Sequence, residues 1–206
     1  MNDAQGDAAY GHVNWRRFAV AAGVPAVVAG GMLFGMANGA FAASFAVSGQ
    51  AFKISADQLE GDGFAQYGSV VTDAKDKDIP VAMSGIKNAK LYNLCQSVRV
   101  GDAPVSLTIT AGGDPEKPAA ATDLLIGVQD LGGDAKFTNI NIGQDASTLT
   151  KGGAEANGAV GQFGQQADSV VITGLRQTAV STTAGTFTLN GLQLRLNVGA
   201  KPKECF

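Results

Sequence analysis

Few side chains in this sequence could make or break bonds, and their positions exclude more chemistry than they assign. The only histidine is His12, the only tryptophan is Trp15, and the two cysteines are Cys95 and Cys205. Carboxylates cluster twice, as Asp57, Glu60 and Asp62 and as Asp73, Asp76 and Asp78. A Ser-His-Asp or Cys-His relay needs an imidazole as its general base. His-ligated zinc or copper needs the same group as a ligand. Beyond residue 12 there is none, and neither a G-x-S-x-G elbow nor a Gly-Lys-Ser/Thr phosphate loop occurs. Gly61, Gly63 and Gly68 have the wrong spacing for a dinucleotide fingerprint. Paired carboxylates can hydrolyse glycosides, but Asp57, Glu60 and Asp62 are neighbours only in sequence. The Asp73 cluster lacks the glycine and closing glutamate of a calcium loop, and Lys75 and Lys77 offset its charge, so it reads as a solvated turn. These residues imply no catalytic centre, no metal site and no cofactor.

His12 and Trp15 also lie in a segment expected to be removed. Arg16 and Arg17 precede a run without charge, residues 18–42, which ends in Ala40-Phe41-Ala42. A positive start, an apolar stretch and a small-x-small exit define a secretory signal, with cleavage expected after Ala42. The arginine pair loosely resembles a twin-arginine signal, with Phe18 one residue early. The alternative is an uncleaved anchor, because a spanning helix needs about 20 residues. Pro25 and Gly30-Gly31 weaken that helix. Residues 1–42 are therefore expected to form a signal peptide or hydrophobic helix. Residues 43–206 are expected to form one secreted or envelope-associated extracytoplasmic domain that contains no histidine. Two cysteines in an exported chain read as one disulfide, Cys95–Cys205. Closing a loop of about 110 residues contributes roughly 4–5 kcal/mol on the chain-entropy model.

The elements that must carry these groups are strands. Charged residues make up 16% of the chain, below the roughly 25% of an average soluble protein. Gly, Ala, Ser, Thr, Asn and Gln fill the difference, as suits strands joined by many turns. A net charge of −3 builds no basic surface for nucleic acid and gives no general attraction to an anionic membrane. The expected fold is all-β, an antiparallel β-sandwich or β-roll.

Strands are predicted over 52–54, 69–72, 91–100, 105–110, 124–128 and 137–142. Residues 111–122 are predicted to be a loop, and 143–168 a long mobile loop or a loop with a short helix near 145–149. Phe187 and Leu189, then Leu192, Leu194, Leu196 and Val198, alternate with polar residues, and the phase flips at Asn190-Gly191. That pattern predicts a two-residue hairpin with Leu189 facing Leu192 and Phe187 facing Leu194. The word apolar-x-apolar-small polar-Gly recurs at 45–49, 81–85, 170–174 and 187–191. It reads as strands ending in glycine turns at irregular spacing, which does not support a solenoid.

Inward-facing residues of such a fold form either a closed core or an open apolar trough. Candidate lining residues are Phe52, Phe64, Leu124, Ile126, Phe137, Phe187 and Leu194. A trough would take an acyl chain or a sterol.

Trp15-Arg16-Arg17-Phe18, residues 84–97 (SGIKNAKLYNLCQS) and Cys205 resemble an uncharacterised actinobacterial family of small exported proteins. Some of its members are labelled cholesterol esterase. The resemblance implies export and the disulfide and brings no catalytic residue. A serine hydrolase would be at variance with the missing histidine and elbow. Ile54 to Leu59 also faintly resembles envelope lipid-transport β-folds. The expected function is a non-enzymatic envelope or extracellular protein. Its expected partners are a lipid or sterol ligand, or a membrane-protein or self-association partner, and no nucleic acid. An oligomeric structural surface protein and an esterase-type hydrolase are the alternatives.

Overall fold

A computed structural model describes residues 48–206 apart from Asp102. Arg16, Arg17, Ala40, Ala42 and the expected signal or hydrophobic helix lie outside the described residues. Within them the fold is all-β and antiparallel. Its strands are β1 (Phe52–Thr72), β2 (Asp78–Tyr92), β3 (Leu94–Arg99), β4 (Val105–Ala111) and β5 (Ala119–Thr138). They are followed by β6 (Asn141–Asp145), β7 (Phe163–Thr183), β8 (Thr186–Thr188) and β9 (Gln193–Val198).

Register reduces these nine strands to four long segments. β2 and β3 share one register on β1, from Thr72↔Asp78 through Gln58↔Tyr92 to Ser55↔Cys95, broken only at Asn93. β4 and β5 both lie along the β2–β3 segment, as Leu94↔Ala111 and Leu91↔Ala119, with residues 112–118 looping out between them. β5 and β6 continue one another along β7, and β7 and β8 continue one another along β5. β7 also pairs with β1, from Phe52↔Ala179 to Tyr67↔Gly164. The hydrogen-bonded order β1–β2–β5–β7–β1 therefore closes a ring. The strands form one rolled sheet rather than two stacked ones, so the roll is the closer of the two expected arrangements.

A ring of four strands has a narrow interior, because barrel diameter grows with strand number. Ala119, Ala167 and Ala179 are fully buried in it. The larger core side chains include Leu59, Phe64, Leu124, Ile126, Val170, Ile172 and Leu175. The Ala- and Gly-rich stretch expected to be a long loop thus helps build this interior: β6 reaches Asp145 and β7 starts at Phe163. Only a short 3-10 turn, Ala146–Thr148, and a loop lie between them. The Asp145 carboxylate accepts hydrogen bonds from Ser147 Oγ, Ser147 N and Gly161 N. Those donors hold its carboxyl below the usual range.

Further local expectations are corrected, among them the loop predicted at 111–122, whose end from Ala119 belongs to β5. The two short strands predicted at 52–54 and 69–72 are the ends of one 21-residue strand. Gly85 and Gly174 stand inside β2 and β7, not at turns. A Cβ on Gly85 would lie 2.3 Å from the Ala156 Cβ and 2.7 Å from the Gly152 oxygen, so glycine lets the 149–162 loop rest on β2. Finally, β8 and β9 do not form a hairpin. Leu192 N does bond Leu189 O across the Asn190-Gly191 turn, and Gly191 has φ +67°. Yet β8 pairs with β5 and β9 with β4. The chain kinks at Asn190 to span the loop-out at 112–118. Gly112 N donates to Asn190 O at 2.7 Å, and Asn190 Nδ2 donates to Pro118 O at 2.9 Å. With those groups committed, the segment runs on along β4 instead of turning back.

Candidate functional site

The roll closes over only part of its length. β1 starts at Phe52, opposite Ala179 of β7 and Val98 of β3. Beyond Ala179 the β7–β8–β9 segment has no β1 beside it. The Thr182 hydroxyl is still buried, Ala184 and Leu189 still pack against the core, and from Leu194 onward the inner face opens to solvent. Directly paired residues share a face of the sheet. The row Phe52–Val98–Leu107–Leu196 and the row Ile54–Gln96–Ile109–Leu194 follow from the register. Val105 faces Val198, and Phe187 faces Ala121. Leu94, Ala111, Ala121 and Ile54 on this face belong to the buried core. The apolar interior therefore continues without a break onto an uncovered surface. On it Leu194 is 60%, Leu196 62% and Val198 74% exposed.

The outer face of β3 and β4 is polar and partly covered. Ser97, Ser106 and Thr108 are buried. The C-terminal tail lies over the first two: Cys205 N donates to Ser97 Oγ at 3.0 Å, and Ser106 Oγ donates to Lys203 O, while Thr108 Oγ1 accepts from Asn197 Nδ2 of β9 at 3.2 Å. Cys95 and Cys205 are disulfide-bonded, with Cα atoms 5.8 Å apart. Lys53 Nζ reaches Glu204 at 3.3 Å and the Phe206 oxygen at 2.8 Å, and its charge lies over the Phe206 ring. The polar Ser97, Ser106 and Thr108 on the outer side are thus more buried than the apolar Leu194, Leu196 and Val198 on the inner side.

The seven candidate trough residues separate into two sets. Phe64, Leu124 and Ile126 are buried in the closed half, and Phe137 packs against that core with its ring 5.2 Å from Phe64. The cavity beside them measures about 60 Å³, far below the roughly 300 Å³ at which ligand pockets begin and of the size that holds a few waters. Gln66, Ser84 and the buried Gln177 supply its polar lining. Phe52, Phe187 and Leu194 lie on the open face instead. No common trough holds all seven. Leu107, Ile109, Leu196 and Val198 belong with the open set and were not among the candidates. Their signal was present, since 105–110 and 193–198 alternate in the same way, but it does not reveal which face is left bare.

The carboxylates are engaged singly. Asp57 accepts from Asn93 Nδ2 at 3.1 Å, and Glu60 from Gln58 Nε2 at 2.6 Å and the Tyr92 hydroxyl at 3.1 Å. Desolvation, then the Glu60 carboxylate, pushes the Tyr92 hydroxyl up. Asp73 accepts from Lys75 N and Lys77 N, and these donors, Lys77 first, hold its carboxyl below the usual range. It shapes the β1–β2 turn. Among the described residues, no group of three or more His, Cys, Asp or Glu is placed to hold a metal ion. An open cleft of about 670 Å³ lies beside the disulfide. Its charged lining, Asp57, Arg176, Lys203 and Glu204, is of mixed sign and selects no single ligand charge.

A model described as a family of unknown function (DUF6230) matches residues 48–206. No curated protein and no solved structure matches the chain.

Proposed function

The chain belongs to that family of unknown function (DUF6230), and from that premise we propose an exported, non-enzymatic protein of the cell envelope or extracellular space that works by binding. Its binding surface is the open inner face over β3, β4, β8 and β9, and what it receives is a hydrophobic ligand or the apolar surface of a protein partner. The observation that supports this reading is the exposure of Leu194, Leu196 and Val198, in register with the buried core. Burying one such side chain is worth about 1.5–3 kcal/mol. Contiguous apolar patches beyond a few hundred Å² are rare on soluble monomers and mark interaction sites. The Cys95–Cys205 disulfide supports export, since such bonds persist in oxidising compartments. The leader, with cleavage after Ala42, belongs to the same proposal.

An environment-sensitive apolar dye, added to nanomolar protein, tests the surface. The Leu194→Ser/Leu196→Ser double variant is expected to lose most of the dye's fluorescence enhancement with its circular dichroism unchanged. Val160→Ser, at a site 84% exposed elsewhere on the molecule, is expected to keep it. Equal enhancement in the wild type and the double variant would overturn the assignment of this face.

A further inference from the structure

The open face has a second property beside its apolarity. Among the described residues β9 pairs only with β4, so its outer edge presents backbone N–H and C=O groups to solvent next to Leu194, Leu196 and Val198. Exposed edge strands are ordinarily guarded by lysines, prolines or bulges. β9 reads Gln-Leu-Arg-Leu-Asn-Val and keeps an unbroken register with β4. Its one charge, Arg195, sits on the outer face opposite the buried Thr108. A lipid or sterol would satisfy the apolar row and leave the edge groups unpaired. A polypeptide strand would satisfy both, and the strand with matching alternation is β9 itself.

We propose that two copies of this chain pair β9 against β9 in antiparallel fashion across a two-fold axis, so that each supplies a wall missing from the other's open half-roll. This deepens the binding-surface reading and rests on it. A two-fold contact uses the same patch on both copies, and this patch suits that. With the axis at Leu196, each Leu196 faces its mate. Leu194 then faces Val198 of the second copy, and Arg195 faces Asn197. No like charges meet, and every apolar residue of β9 meets another. Registers centred on Arg195 would set two guanidinium groups against each other and are disfavoured.

The experiment is sedimentation velocity on the full exported protein from nanomolar to tens of micromolar, with Leu196→Lys and Leu196→Cys beside the wild type. Leu196 is 62% exposed, so neither change disturbs the core. The expected wild-type result is a dimer that Leu196→Lys weakens roughly 100-fold or more, because two ammonium groups then face each other. Leu196→Cys is expected to form an interchain disulfide on mild oxidation, whereas Leu194→Cys, whose mate lies elsewhere, is expected not to. A wild-type dimer indifferent to Leu196→Lys would overturn the pairing. A protein monomeric throughout, yet with face-dependent dye binding, would overturn the pairing and leave the binding-surface reading intact. A monomer without such binding would overturn both.

Discussion

Leu124→Ala is expected to lower stability by about 2–5 kcal/mol, whereas Leu196→Ala should change it by less than about 0.5 kcal/mol. Both positions are leucines in alternating strands, and from the sequence they look alike. Leu124 is 2% exposed in the closed half of the ring, where truncation leaves a void that neighbours fill only in part. Leu196 already meets solvent. Urea denaturation of the two variants at a protein concentration that keeps copies apart measures the contrast. Equal losses at the two sites would mean that the open face is packed in the folded monomer. Negligible loss at Leu124 would mean that the ring does not close around it.

Reducing the Cys95–Cys205 bond, or replacing Cys205 by Ser, is expected to cost about 4 kcal/mol, on the order of 10 °C in melting temperature. Most of the loss arises in the unfolded chain, which gains freedom when a loop of 110 residues is opened. In the folded state the consequence is local. The tail covers Ser97 and Ser106, and these polar groups can exchange its hydrogen bonds for water at little cost. Native strand content in far-ultraviolet circular dichroism should therefore survive reduction below the new melting point. Loss of the whole fold on reduction would instead make the tail part of the core. An unchanged melting temperature would mean that the bond closes no significant loop in the unfolded state.

Strand periodicity was legible in the sequence, and so were the cysteine pair and the solvated Asp73 turn. Which strands pair was not. Asn190-Gly191 carries the local signature of a hairpin, but its backbone and side chain are claimed by Gly112 and Pro118, about 75 residues away in sequence. No local pattern encodes that competition. The same limit hid the length of β1 and β7. β1 contains Gly61, Gly63 and Gly68, and the stretch 164–168 carries no large apolar side chain. In a four-stranded ring such small residues belong inside, as the fully buried Ala167 and Ala179 do, while Ala65 is buried on the opposite side of β1 from Phe64, packed with Leu149 and Ala156. The site was half legible for a related reason. Alternation marked Phe64, Leu124, Leu194 and Phe187 as inward-facing, and all four are, but only the start of β1 at Phe52 decides which of them the roll encloses.

The central claim is that the inner face of the roll continues over the half-buried Val105, Leu107 and Ile109 of β4 onto β9, where it is bare. Carbene footprinting with a small apolar diazirine tests it most directly, read peptide by peptide on folded protein at nanomolar concentration. Heavy labelling of residues 192–198 and 105–109, with background labelling of 167–175, is the predicted result. Labelling of 192–198 no greater than that of 167–175 would contradict the account.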